Sequence, residues 1–142
     1  SAAWALTHDS TQSQGTTTTL NFNNELIDTD DAHSTVANSS RVIVPTSGVY
    51  AIGSVVRFQT TEGEAVARIF NGSSATAVLT FNMIRPGSSI DFADVAAGTA
   101  SRILRFATSG STLTVELTAV LSTVPDVLAG EASLLFWGQR IS

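Results

Sequence analysis

The sequence predicts one all-β domain, an antiparallel sandwich or barrel. Three observations carry that expectation. No window of about eleven residues places apolar side chains at i, i+3, i+4 and i+7, so no long helix is expected. Short runs rich in Val, Ile, Thr and aromatic residues recur instead, separated by turn residues. The 142 residues, 43% of them hydrophobic, are enough for one sizeable core, and no linker or repeat divides them.

The elements follow in order. Residues 4–7 read as a short first strand and 8–15 as a polar loop. Residues 16–22 are β-rich, with Leu20 and Phe22 on one face. Residues 23–40 read as a long acidic connection holding Asp28, Asp30, Asp31 and His33. Residues 41–44 form a strand that Pro45 ends, since proline cannot donate to a ladder. A turn through Gly48 leads into a long strand over 49–58. Tyr50, Ile52, Val56 and Phe58 share one face of it; Val49, Ala51 and Val55 share the other. A strand apolar on both faces is covered on both. The first row is assigned to the sandwich core. The second, of smaller residues, lets another chain come close.

Residues 65–70 and 75–84 read as a hairpin about Asn71-Gly72, with Leu79, Phe81 and Met83 on one face. Arg85-Pro86-Gly87 ends it. Residues 88–95 are a weaker strand, Ala97-Gly98 a turn, and 101–108 a strand with Leu104 and Phe106 on one face. Residues 112–121 alternate most cleanly: Leu113, Val115, Leu117, Ala119 and Leu121 against Thr112, Thr114, Glu116 and Thr118. Residues 124–130 form a loop. The last strand, 132–141, is again apolar on both faces, through Leu134 and Phe136 and through Leu135 and Trp137. The total is nine or ten strands.

Composition narrows the function. Charged residues make up 13% of the chain, about half the usual ~25%. Such a surface is either made polar by Ser, Thr and Asn or partly buried between subunits. The formal net charge is −5, and the seven basic residues, all arginine, form no cluster. Binding to a nucleic-acid backbone is therefore not expected. No apolar run approaches the ~18 residues of a membrane span. The chain has no cysteine, so disulfides and thiolate metal sites are excluded. The first ten residues lack the basic start and apolar centre of a signal peptide and read as a processed or trimmed start.

Chemistry-bearing residues are few. No G-x-S-x-G is present, both His8 and His33 fall in polar loops, and no catalytic residue is assigned. Asp28, Asp30 and Asp31 are weak metal candidates, for a hard cation such as calcium. The segment lacks the glycine and distal glutamate of an EF-hand, and acidic turn residues more often cap backbone N–H groups. No cofactor is expected. Trp4, Trp137 and Tyr50 can stack on sugars, but aromatics on strands more often anchor cores or interfaces.

Residues 16–58 resemble the opening of C1q/TNF-like jelly-roll domains, in the version found in tailed-phage structural proteins. The resemblance rests on Leu20–Phe22, the acidic Asp28–His33 segment, Asn38–Arg41, the Pro45–Tyr50 corner and the aromatic Phe58. Arg68, Asn71 and Gly72 fit as well, as does the closing run from Phe136 to Ile141. It implies an antiparallel jelly-roll β-sandwich spanning 16–142, preceded by an N-terminal segment (1–15) available to contact a capsid. It also implies a homotrimer, with Val49, Ala51, Val55, Leu135 and Trp137 as interface residues. The functions implied are binding and structural, not catalytic: recognition at fibre tips, or attachment to virion surfaces. Since the sequence shows no heptads or repeats of a fibre shaft, the expectation is a capsid decoration protein on the virion surface, bound to the major capsid protein or another virion protein. The alternative is a receptor- or carbohydrate-binding tip domain of a phage fibre or tail, or of a bacterial surface protein, recognising a host-surface glycan.

Overall fold

The computed structural model describes residues 1–13, 17–59, 63–72, 77–85, 95–119 and 126–142. These form twelve strands: β1 (Ala3–Thr7), β2 (Gln12–Ser13), β3 (Thr17–Thr19), β4 (Asn24–Asp28), β5 (Arg41–Ile43), β6 (Gly48–Gln59), β7 (Gly63–Asn71), β8 (Ala77–Arg85), β9 (Val95–Phe106), β10 (Thr112–Ala119), β11 (Asp126–Val127) and β12 (Leu134–Arg140). No helix occurs among the described residues.

Two antiparallel sheets face each other. The first runs β4-β1-β12-β6-β9, with β11 and β2 extending it beside one end of β6. The second runs β10-β7-β8, with β3 and β5 in series along the free side of β10. Strands distant in sequence lie side by side, as β1 does between β12 and β4.

Period-two patterning decides which faces are buried. Tyr50, Ile52, Val56 and Phe58 of β6 turn inward and are buried, as assigned from the sequence. Leu113, Val115 and Leu117 of β10 meet them from the other sheet, with Ala65, Ala67 and Ile69 of β7 beside them. Each large apolar side chain so buried contributes roughly 1.5–3 kcal/mol. Aromatic rings form the centre. Trp4 lies 5.8 Å from Tyr50 and 6.0 Å from Phe136, and Phe22 lies 5.8 Å from Phe136. The Tyr50 hydroxyl donates to the Thr46 carbonyl at 2.9 Å, tying the Pro45 corner to the strand that follows.

Several expected boundaries are corrected. Residues 23–40 are not all connection, because 24–28 form β4 on the edge of the first sheet. Ala97-Gly98 is not a turn: β9 runs unbroken from Val95 to Phe106, paired with β6 along its length. Of the described residues 17–22 only 17–19 are strand, although Leu20 and Phe22 are both fully buried. Most of the strand expected over 88–95 lies outside the described residues, as do the turn at 86–87 and residue 121. Residues 1–7 are built into the sandwich, with Trp4 and Leu6 in the core. Among the described residues of this segment, Ser1 and residues 9–11 are exposed.

Candidate functional site

The five residues expected at an interface all come from β6 and β12, which pair in register. Leu135 stands opposite Val55, Trp137 opposite Gly53, and Gln139 opposite Ala51. Since Leu134, Phe136, Ile52 and Val56 point into the core, the alternate residues share the outer face of the first sheet. Val49, Ala51, Val55, Leu135 and Trp137 are thus brought together on one surface, each of them partly covered.

The face is wider than the sequence indicated. Ala5 of β1 stands opposite Trp137 on one side and Ile27 of β4 on the other. Ile103 of β9 stands opposite Ala51 and is 65% exposed; Ile27 is 50% exposed. Gly53 was missed as part of it. A Cβ built on Gly53 would lie 2.5 Å from the Trp137 ring, so the missing side chain is what lets the indole lie across β6. An isolated glycine inside a strand is the signal that points to such an approach.

The other sheet turns a different outer face to solvent. Thr112, Thr114, Glu116 and Thr118 of β10 alternate with its buried leucines and valine. Glu116 stands opposite Arg68 of β7, and Arg68 donates to the Thr118 hydroxyl at 3.3 Å. One sheet is therefore largely polar on its outside, with Ile43 and Phe70 among its polar residues. The other carries an apolar patch at its centre, with Thr99, Ser101, Arg105 and Gln139 beside it.

The acidic segment is organised for structure. The Asp28 carboxylate accepts the backbone N–H of Ala32 at 2.8 Å through one oxygen and that of His33 at 3.0 Å through the other. Asp30 and Asp31 are exposed and do not converge on it. No group of three or more His, Cys, Asp or Glu side chains placed to hold a metal occurs among the described residues. His33 is 8% exposed; Nδ1 lies 3.0 Å from the Glu25 carboxylate and Nε2 lies 2.9 Å from the Ser39 carbonyl. The imidazole thus ties β4 to the end of the loop that leads into β5. His8 lies apart, its Nδ1 held by Ser10. Of the aromatics considered for sugar stacking, Trp4 and Tyr50 are buried in the core, and Trp137 alone reaches the surface.

With this geometry in place the comparisons are narrow. No protein-family model matches the chain, and no curated protein matches it in sequence. Solved structures match it in shape, and the class they define is the TNF-like jelly roll. The crystal structure of murine APRIL at pH 8.0 aligns with a TM-score of 0.71 over 99% of this chain and 98% of that one, at 13% identity. Murine APRIL at pH 8.5 gives 0.70 at 13% identity, and at pH 5.0 gives 0.67 at 15%, with the same coverage. This chain has that fold.

Proposed function

We propose that the chain is a homotrimeric, non-catalytic surface protein that assembles through the outer face of the β4-β1-β12-β6-β9 sheet. Its place is the capsid of a tailed phage, where it acts as a decoration protein. The observation that carries the assembly reading is the contrast between the two outer faces. On one, Thr112, Thr114, Glu116, Thr118, Arg41 and Arg68 surround Phe70 and Ile43. On the other, Val49, Ala51, Val55, Leu135, Trp137, Ile27 and Ile103 form an apolar patch bordered by Thr99, Ser101, Arg105 and Gln139. An apolar sheet face left in water is unfavourable, and a second copy is the simplest cover for it. The phage setting rests on the resemblance of residues 16–72.

The mechanism is linkage. A trimer seated across neighbouring capsid subunits binds the assembled shell and not the separated subunits, so its binding free energy adds to shell stability. His33, Glu25 and Asp28 are all engaged in holding one loop.

Sedimentation equilibrium tests the assembly. The expected mass is three times 14.8 kDa. A clean monomer at micromolar concentration overturns it. Heating purified particles with and without the protein tests the cementing role. Equal loss of DNA from both overturns that role.

A further inference from the structure

In a ring of three the contact between copies is heterologous, so two different surfaces of the chain must meet. The first sheet offers two different edges, β4 and β9. Each presents an exposed isoleucine on the outer face, Ile27 on β4 and Ile103 on β9. Beyond each isoleucine, toward the same end of the sheet, the two edges carry opposite charge.

The register relates the two edges. Asp28, Trp4, Gly138, Ile52 and Arg102 form one row across the sheet. β4 and β9 cross that row in the same direction. Past it, one edge continues into Asp30 and Asp31, and the other into Ile103 and Arg105. A rotation about an axis running along the strands leaves the level of every residue unchanged. What meets across such a contact must lie near one level; Asp28 and Arg102 share a row, and Asp30, Asp31 and Arg105 follow them within three residues toward the same end.

The charges are also uncommitted. Asp30, Asp31 and Arg105 are exposed, and among the described residues none makes a hydrogen bond or ion pair with another side chain. Arg41 borders the same depression as Asp31 without pairing to it. Arg105 lines a groove with Ser47, Val49, Phe106 and Arg140, and the Arg140 Nε donates to the Ser47 carbonyl at 3.0 Å. The acidic groups nearby, Asp28 and Glu25, are already used inside the chain. With a net charge of −5, two copies repel on average, so approach is favoured only where opposite charges are matched locally.

We propose that the acidic turn after β4, through Asp30 and Asp31, seats in the Arg105–Arg140 groove of the next copy, and that this pairing sets the register of the ring. The inference rests on the trimer reading and goes one step further, naming which edge meets which. The test is a charge swap read by analytical ultracentrifugation. Arg105→Glu alone, and Asp30→Arg with Asp31→Arg, are each expected to raise the concentration for half-dissociation by about tenfold or more. Joining all three substitutions in one chain restores assembly to within about threefold of the parent. Far-UV circular dichroism of each variant is expected to match the parent, because the altered residues are exposed. Melting is expected to match for Arg105→Glu and to fall slightly where Asp31, which has a φ of 51°, is replaced by arginine.

A parent protein that is itself monomeric overturns the trimer reading. A trimeric parent whose single-sided variants stay as tightly assembled overturns the edge pairing and leaves the trimer standing. Weakening without restoration in the combined chain also overturns the pairing.

Discussion

Two tryptophans are placed by two glycines, on opposite sides of one sheet. Trp4 lies across Gly138 on the core side, and Trp137 lies across Gly53 on the outer side. The consequences of filling the two glycines differ. Trp4 is 1% exposed and is hemmed in by the Tyr50 and Phe136 rings at 5.8 and 6.0 Å. A methyl at 138 has nowhere to go, since packed cores answer extra volume with strain. Gly138→Ala is expected to destabilise the fold by about 1–3 kcal/mol, read as a lower denaturation midpoint with an unchanged slope. Trp137 reaches the surface and can swing aside. Gly53→Ala is expected to cost the isolated chain clearly less, in the same titration. Equal losses for the two would mean that Trp137 is as tightly held as Trp4.

Among the elements, the hairpin between β7 and β8 was the most direct to read. Asn71-Gly72 ends β7, and Gly72 has a φ of 63°, the left-handed conformation that the turn chemistry implied. Nothing lies within 4 Å of a Cβ built there, so a side chain meets open space and only the backbone objects. Gly72→Val is expected to cost about 1–2 kcal/mol, the left-handed penalty, with no change in assembly. Chemical denaturation measures the first part and sedimentation the second. The clean alternation of β10 and the two rows of β6 were equally legible, because a buried face and an exposed face leave a period of two in the chain. β4 was not. Its Leu26 and Ile27 are adjacent and both about half exposed, so the edge strand shows no alternation, and Asp28 reads as loop. β9 was cut short for the opposite reason. Ala97 and Gly98 look like punctuation, yet the strand continues because β6 supplies a partner along its whole length. The candidate site divides in the same way. Its five central residues were visible as a second apolar row, while Ile27 and Ile103 joined it only through pairings between strands far apart in sequence.

At the scale of the whole molecule, the apolar patch on the outer face of the first sheet is centred on one large side chain. In a lone chain, Trp137 sits half-covered on the outer sheet beside Val55, Leu135 and Ala5. A charge at 137 would there remain in water and would leave the core rows untouched. In a trimer the same position is enclosed, and an unpaired charge at an enclosed position costs several kcal/mol. Trp137→Glu is therefore expected to separate assembly from folding. The variant should sediment near 14.8 kDa while keeping the β-sheet circular dichroism of the parent. It should also lose capacity to bind shells, since a single copy gives up the multiple attachment that raises affinity without new contacts. Loss of assembly with loss of structure would place Trp137 in the core, against its exposure here. Retained assembly would remove this face from the contact altogether, and the charge swap at Asp30, Asp31 and Arg105 would then decide whether the edges alone hold the ring.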